Sequence, residues 1–180
     1  MLQLFVTSSI PPDMEAQVES ATKTLLAGRK RYEDVGNKLN VPWYFIGILH
    51  GVESNFDFGR HLHNGDPLTA RTVHVPAGRP RSGNPPFSWE ESATDHLELG
   101  GFTKSTSWGL GEMLYQLEKS NGLGYRKHKI NSPFLWACTN HYTKGKFVGD
   151  HVFDPEAAVK YCGAAPILKK LVEQGLVKFD

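Results

Sequence analysis

Apolar residues recur at helical spacing through the first part of the chain. In "DMEAQVESATKTLLAGRKRYEDVGNKL", Met14, Val18, Ala21 and Leu25 fall on one stripe, which predicts helix from 13 to about 39 with a break at Gly28. The next segment, "NVPWYFIGILHGVES", is apolar nearly all round, the pattern of a helix buried on every side. It is expected to run from 41 to about 54, with Asn40 as N-cap and Pro42 in the first turn, where a missing N–H costs little. Gly47 and Gly51 lie four apart on one face and weaken the helix, so a close neighbour is expected against them.

The pattern then changes. "LTARTVHV" is rich in β-formers and follows the turn-like "NGD", which predicts a small hairpin within 61–77. A Pro/Gly loop spans 76–88, and Ser88 or a neighbour is expected to cap a helix over "SWEESATDHLEL". Helices are also expected over "SWGLGEMLYQLEKSNG", over "SPFLWACTNHYTKG" with Ser132 capping and Pro133 in the first position, and once or twice within "DPEAAVKYCGAAPILKKLVEQG". Pro11-Pro12 ends a short N-terminal arm or strand. The sum is an α+β chain, mainly α. Residues 1–12 form an arm, and 13–180 a single domain with a central buried helix and a small β-hairpin lobe.

Composition narrows the function classes. The 180 residues are 39% hydrophobic and 22% charged, with a net charge of +1, so no strong basic field marks a nucleic-acid binder. No apolar run approaches the roughly 18 residues of a membrane span, so no stable membrane insertion is expected. "MLQLFVTSSIPPDMEA" lacks a basic start and a long apolar run, which leads to the expectation of synthesis in the cytoplasm without a cleaved signal peptide. In that compartment Cys138 and Cys162 are expected to be reduced packing residues rather than a disulfide.

Glu53 is the residue that stands out. It ends the greasy helix, after Phe45, Ile46, Ile48, Leu49 and Val52, with His50 and Leu49 on its own face. The bland alternative is a solvated glutamate or one paired with Arg60. A carboxyl group at the rim of a core has its pKa raised by desolvation, as a general acid acting near neutral pH requires. Protonating a glycosidic oxygen is the natural use.

A resemblance enters here. Glu53-Ser54 at a helix end in "LNVPWYFIGILHGVESNFDF", then a β-rich segment, then several helices, resembles the lysozyme-like superfamily: goose-type lysozymes, lytic transglycosylases and phage endolysins. "GLGYRKHKINSPFLWACTNHYTKGKF" resembles segments of lysozyme-like peptidoglycan hydrolases of phages and bacteria. The likeness spans about 39 to 163. It implies that Glu53 protonates the oxygen between N-acetylmuramic acid and N-acetylglucosamine. The smaller phage lysozymes place an Asp and a Thr in the β-lobe, which implies Asp66 and Thr69 as the further catalytic groups and Thr72 beside them. Asp66 lies thirteen positions after Glu53, more than that pattern has, and Asp57 is nearer. A second carboxylate that activates water gives hydrolysis. Without one, the substrate's own hydroxyl attacks and one glutamate is acid and then base, as in lytic transglycosylases. The implied partner is the peptidoglycan glycan strand, with no cofactor. A holin-type membrane lesion would give a phage or prophage lysis enzyme its access to the wall.

Other constellations are weaker. His61-Leu62-His63 with Asp66, and His74 or His151 as a third ligand, sketches the zinc site of a peptidoglycan peptidase or amidase, but eight histidines in 180 residues produce such a pair by chance. No metal is expected. No Gly-X-Ser-X-Gly elbow or phosphate-binding glycine loop occurs, and Ser54 reads as a helix-end hydrogen-bonder. Trp43, Trp89, Trp108 and Trp136 are expected mostly in the core. His50, Tyr125, Arg126, Asn140 and Tyr142 are the candidate saccharide contacts, because sugar faces stack on aromatic rings while Asn and Arg reach hydroxyl or acetamide groups. A chitinase- or chitosanase-like glycosidase is the rival within glycan cleavage.

Overall fold

The computed structural model describes residues 1–105, 107–149 and 151–179. The chain is mainly α with one small antiparallel sheet, the α+β class expected. Its helices are α1 (Leu2–Thr7), α2 (Glu15–Ala27), α3 (Arg29–Leu39), α4 (Trp43–Ser54), α5 (Trp89–Leu99), α6 (Leu110–Asn121), α7 (Pro133–Trp136) and α8 (Ala164–Glu173); the strands are β1 (Lys146–Gly149) and β2 (Val152–Asp154). The chain divides into two compact units, Thr24–Trp108 and the pair of segments Met1–Lys23 and Gly109–Asp180.

In the unit Thr24–Trp108, α4 is the buried element. Phe45, Ile46, Ile48, Leu49 and His50 have no exposed surface. Its two glycines are contact points, as their spacing predicts. A Cβ built on Gly47 would lie 3.0 Å from Leu25 and from the Tyr32 ring, and one on Gly51 would lie 2.3 Å from the Phe56 ring. A core of rings surrounds the helix: Tyr32, Phe58 and Trp89 pack around His50 with centroids 4.5 to 5.8 Å from it. Arg31 lies over Phe58 at 3.9 Å while its guanidinium makes a two-pronged bond to Glu90 at 2.6 and 3.0 Å. At the start of α5 the cap is Ser88 itself, and it and Glu91 bond each other's backbone N–H in a capping box.

Asn40 departs from expectation. It is not the N-cap of α4 but the left-handed C-cap of α3, at φ 56°, with its N–H on the Gly36 carbonyl. Asn is among the few residues that tolerate that conformation, and Pro42 precedes α4 in extended geometry instead. The hairpin expected within 61–77 is also absent. Only one isolated bridge, Arg60 with Pro67, forms there. Side chains have claimed the amides that a ladder would use: Asp66 takes Val73 and His74, and the Thr72 hydroxyl takes Arg79.

The small sheet lies in the other unit. There β1 and β2 pair Lys146 with Asp154 and Phe147 with Phe153, with an irregularity before Gly149. Residues 2–7 of the expected arm or strand form α1. The helix expected over 132–145 stops after one turn. Thr139 Oγ1 caps the Trp136 carbonyl at 2.7 Å, and Cys138 turns left-handed at φ 65° to bond Cys162. The cysteines are therefore a disulfide, not the reduced pair expected. The turns after α7 and before α8 bring their Cα atoms to 5.1 Å, within the range a disulfide spans. Gly163, beside it, lets the chain pass the Leu135 backbone, 2.5 Å from where a Cβ would stand.

Two glycine variants test this packing. Gly36→Ala places its Cβ 2.3 Å from the Val41 carbonyl oxygen, a backbone atom, whereas Gly47→Ala meets side chains that can shift. Thermal denaturation is expected to show the larger loss for Gly36→Ala, and about 1–3 kcal/mol for Gly47→Ala before its gain in helix propensity.

Candidate functional site

The last turn of α4 holds Glu53 between two residues that face inward. His50 is fully buried, bonded through Nδ1 to the Tyr32 hydroxyl at 2.9 Å, and loss of hydration pulls its pKa down to about 4. It sits in the ring cluster and is not placed for the saccharide contact expected of it. Ser54 is the helix-end bonder that was read from sequence, its hydroxyl donating to the His50 carbonyl at 3.2 Å. After the helix, Asn55 and Phe56 both adopt left-handed conformations, at φ 51° and 61°. That turn folds the Phe56 ring back against Gly51.

Glu53 itself is partly exposed. Among the described residues no hydrogen bond or ion pair reaches its carboxylate, and desolvation alone lifts its pKa to about 7. The bland alternative fails at Arg60, whose guanidinium is taken by Asp57 at 3.0 Å and by the Gly65 carbonyl at 2.9 Å. A carboxyl group with solvent access and no partner, protonated about half the time at neutral pH, can give and take a proton.

Asp66 is the opposite case. It is buried, which by itself would raise its pKa. Bonds from the His74 ring at 2.6 Å and from the His74 and Val73 amides at 3.0 and 2.8 Å outweigh that and bring it to about 2. Both oxygens are occupied in fastening residues 73–74. Thr72, expected near substrate, is buried in the same knot, its hydroxyl donating to the Pro76 carbonyl at 2.6 Å. Thr69 is exposed in the turn after Pro67. Gly65, at φ 78°, lets this turn pass the end of α4, 3.4 Å from the Glu53 carbonyl oxygen to where its Cβ would be. Asp57 is exposed and engaged by Gly59 N–H and Arg60.

The histidines singled out as zinc ligands are bound elsewhere. His61 Nε2 donates to the Ala70 carbonyl at 2.8 Å and its Nδ1 meets Ser92 Oγ at 2.9 Å. His63 Nε2 meets Asp95 at 2.7 Å, and Arg79 bonds the same carboxylate at 2.8 and 2.9 Å. Among the described residues no group of three or more His, Cys, Asp or Glu could hold a metal ion. Ser92, His63 and Asp95 stand in the order of nucleophile, base and orienting acid, but Ser92 is fully buried and its oxygen accepts the Leu62 N–H at 3.1 Å. A serine hydroxyl has one hydrogen, and His61 takes it at Nδ1. The 3.3 Å contact to His63 Nδ1 becomes a hydrogen bond only when His63 carries protons on both nitrogens. This row anchors residues 61–63 to α5. Sequence reasoning missed Ser92, Asp95 and Arg79 as its members, and no local signal marks them.

The remaining candidates belong to the unit with α6 and α8. Tyr125 is buried, its hydroxyl accepting the Phe147 N–H at 3.3 Å. Arg126 is held by Glu118. Asn140 is a tether, accepting from Ser9 N at 2.9 Å and donating to the Thr7 carbonyl at 3.3 Å. Tyr142 donates to the Gly145 carbonyl at 3.2 Å, and burial pushes its pKa up. Trp89 and Trp136 are core residues as expected; Trp43 and Trp108 keep part of their surface. No helix of the described residues is long and apolar enough to cross a membrane. No protein family, curated protein or solved structure matches the chain.

The desolvation of Glu53 has a measurable cost. Between pH 4.5 and about 7 the unfolded chain has released this proton and the folded chain has not, so stability falls as pH rises through that window. The difference corresponds to at most about 3 kcal/mol at pH 8. Glu53→Gln is therefore expected to raise the melting temperature at pH 8 and to leave it nearly unchanged at pH 4. Equal effects at both pH values would contradict a desolvated carboxyl.

Proposed function

We propose that the chain cleaves the glycosidic bond between N-acetylmuramic acid and N-acetylglucosamine in bacterial peptidoglycan, as a lysozyme-like wall-degrading enzyme, with Glu53 as the general acid. The single observation that carries this reading is the state of that carboxyl group: unpartnered, solvent-accessible at the end of a buried helix, and raised to about 7 by desolvation. The proton is given to the oxygen leaving C1 of the muramic residue, as positive charge develops on that sugar. An acid of this pKa is still about half protonated at neutral pH and, once ionised, is basic enough to take a proton back.

The identity of the attacking group follows from the other carboxylates. Asp66 and Asp57, the candidates for activating water, are both occupied by backbone N–H groups and by His74 or Arg60. That favours intramolecular attack. The muramic C6 hydroxyl closes on C1, the C1–O bond to the departing sugar breaks, and the Glu53 carboxylate takes the hydroxyl proton. No water is consumed, and the products are a 1,6-anhydromuramoyl end and a free 4-hydroxyl. The polymer lies outside the cytoplasmic membrane, so an enzyme made inside reaches it through a membrane lesion such as a holin provides.

Glu53→Gln is expected to retain the fold and lose at least about a hundredfold in clearing of purified walls, the lower range for a general acid. The wild-type rate should fall as pH rises above about 7, where the acid loses its proton. Asp66→Asn frees residues 73–74; it should cost about 2–3 kcal/mol of stability, as loss of a bond to a charged group does, while the folded enzyme keeps most of its rate. Mass spectrometry of released fragments is expected to show anhydromuramoyl ends. Full activity in Glu53→Gln, or new amine termini without cleaved glycan, would reject the proposal, and hydrated muramic ends would restore a water-activating group.

A further inference from the structure

Residues 1–12 take no part in the proposed chemistry, yet two elements of their own unit clamp them. The first is the turn after α7. Asn140 Oδ1 accepts the Ser9 N–H at 2.9 Å, its own N–H donates to the Ser9 carbonyl at 3.0 Å, and its amide reaches the Thr7 carbonyl at 3.3 Å. His141 Nε2 meets Thr7 Oγ1 at 3.1 Å. The second is α8. Lys169 Nζ donates to the Phe5 and Ser8 carbonyls and to Ser8 Oγ, so an ammonium closes the C-terminal end of α1.

The Cys138–Cys162 bond joins these two clamps. Cys138 stands two residues before Asn140, and Cys162 two residues before the first residue of α8. The bond also decides the backbone at Cys138. A φ of 65° is sparsely populated for a residue with a Cβ, and it persists only where the surroundings impose it. That left-handed turn directs residues 139–141 out of the path of α7 and onto the arm. Without the crosslink nothing holds Cys138 to this side chain partner, and the right-handed or extended regions become the better choice.

The two sulfurs differ in access. Cys138 is partly exposed, beside a groove of about 130 Å³ lined by Pro11, Met14, Gln17, Tyr142 and Tyr161 among others. Cys162 is buried. It sits at the start of α8, the positive end of the helix dipole, whose first turn carries no acidic residue.

We infer that the Cys138–Cys162 bond is a thiol-exchange site that controls whether the arm is clamped. The reactant is a dithiol. Its thiolate attacks Cys138 Sγ, the S–S bond breaks, and Cys162 leaves as a thiolate that takes up a proton. The second thiol of the reactant then attacks its own sulfur in the mixed disulfide and expels the Cys138 thiolate. The dithiol is oxidised to a disulfide and the chain gains two thiols. The turn at 138 relaxes, Asn140 and His141 swing from the arm, and α1 loosens, uncovering Phe5. An oxidising compartment clamps the arm, and a reducing one frees it. The inference is independent of the substrate proposed for Glu53.

The test uses the full-length protein in native buffer with dithiothreitol as the dithiol, read by thiol alkylation and by amide hydrogen exchange. Both cysteines are expected to become alkylated without denaturant. Exchange at Ser8, Ser9 and Asn140 should speed up at least about tenfold while α6, in the same unit, keeps its protection. Cys138→Ala combined with Cys162→Ser should reproduce that state with no reductant. In Cys162→Ser, oxidised glutathione is expected to add to Cys138 at least about tenfold faster than it adds to Cys162 in Cys138→Ser. A bond that resists the dithiol until the chain is denatured would overturn the inference. So would unchanged exchange in the arm, exchange that speeds up as much in α6, or equal reactivity of the two single cysteines.

Discussion

A helix that is apolar nearly all round has to be buried, and α4 is buried through residues 45–50 and again at Ser54, while Trp43, Tyr44 and residues 51–53 keep part of their surface. The glycines that weaken it are where Leu25, Tyr32 and Phe56 come close enough to complete the burial. Three residues at its C-terminal end, His50, Glu53 and Ser54, inherit the loss of water to different degrees. His50 is held neutral inside a ring cluster, Ser54 turns its hydroxyl back to the helix, and Glu53 keeps its proton to about pH 7. The chemistry proposed for Glu53 is thus a consequence of how the core is closed, not of a dedicated partner that tunes it.

Glu53 and Asp66, on either side of the turn that follows α4, show how environment divides one functional group into two roles. Glu53 has lost water without gaining donors, and its pKa rises. Asp66 has lost water too, but three donors replace it, and its pKa falls to about 2. The first can exchange a proton near neutrality; the second is a fixed anion whose work is to hold a loop. The same logic runs through His61, Ser92, His63, Asp95 and Arg79, where a buried polar row ties residues 61–63 to α5. Side-chain bonds of this kind replace the β-ladder that residues 61–77 were expected to form.

In the unit with α6 and α8 the organising constraints are covalent and aromatic. The disulfide and Gly163 hold the start of α8 to the turn after α7, and the Tyr125–Phe147–Phe153 contacts hold the two-stranded sheet to the 3-10 turn.

Periodicity alone determined a good deal. The helices on either side of Gly28, the buried helix, the capped α5 and α6 were legible, because each depends on contacts within a few residues: an apolar stripe, a capping box, a glycine stop. The desolvation of Glu53 was legible for the same reason, since an acid at the end of a nearly all-apolar run is a local anomaly. Residues that look alike locally were decided by distant partners. Asn40 ends one helix instead of starting the next. "LTARTVHV" has strand composition but gives its amides to Asp66 and Thr72, and Cys138 leaves a helical pattern to meet Cys162, twenty-four residues on. Which carboxylate is free, which histidine is bound and which cysteine is paired are long-range facts. A pattern of residue types records what a segment prefers, and only the folded chain settles which donor, acceptor or charge finally stands within 3 Å of it.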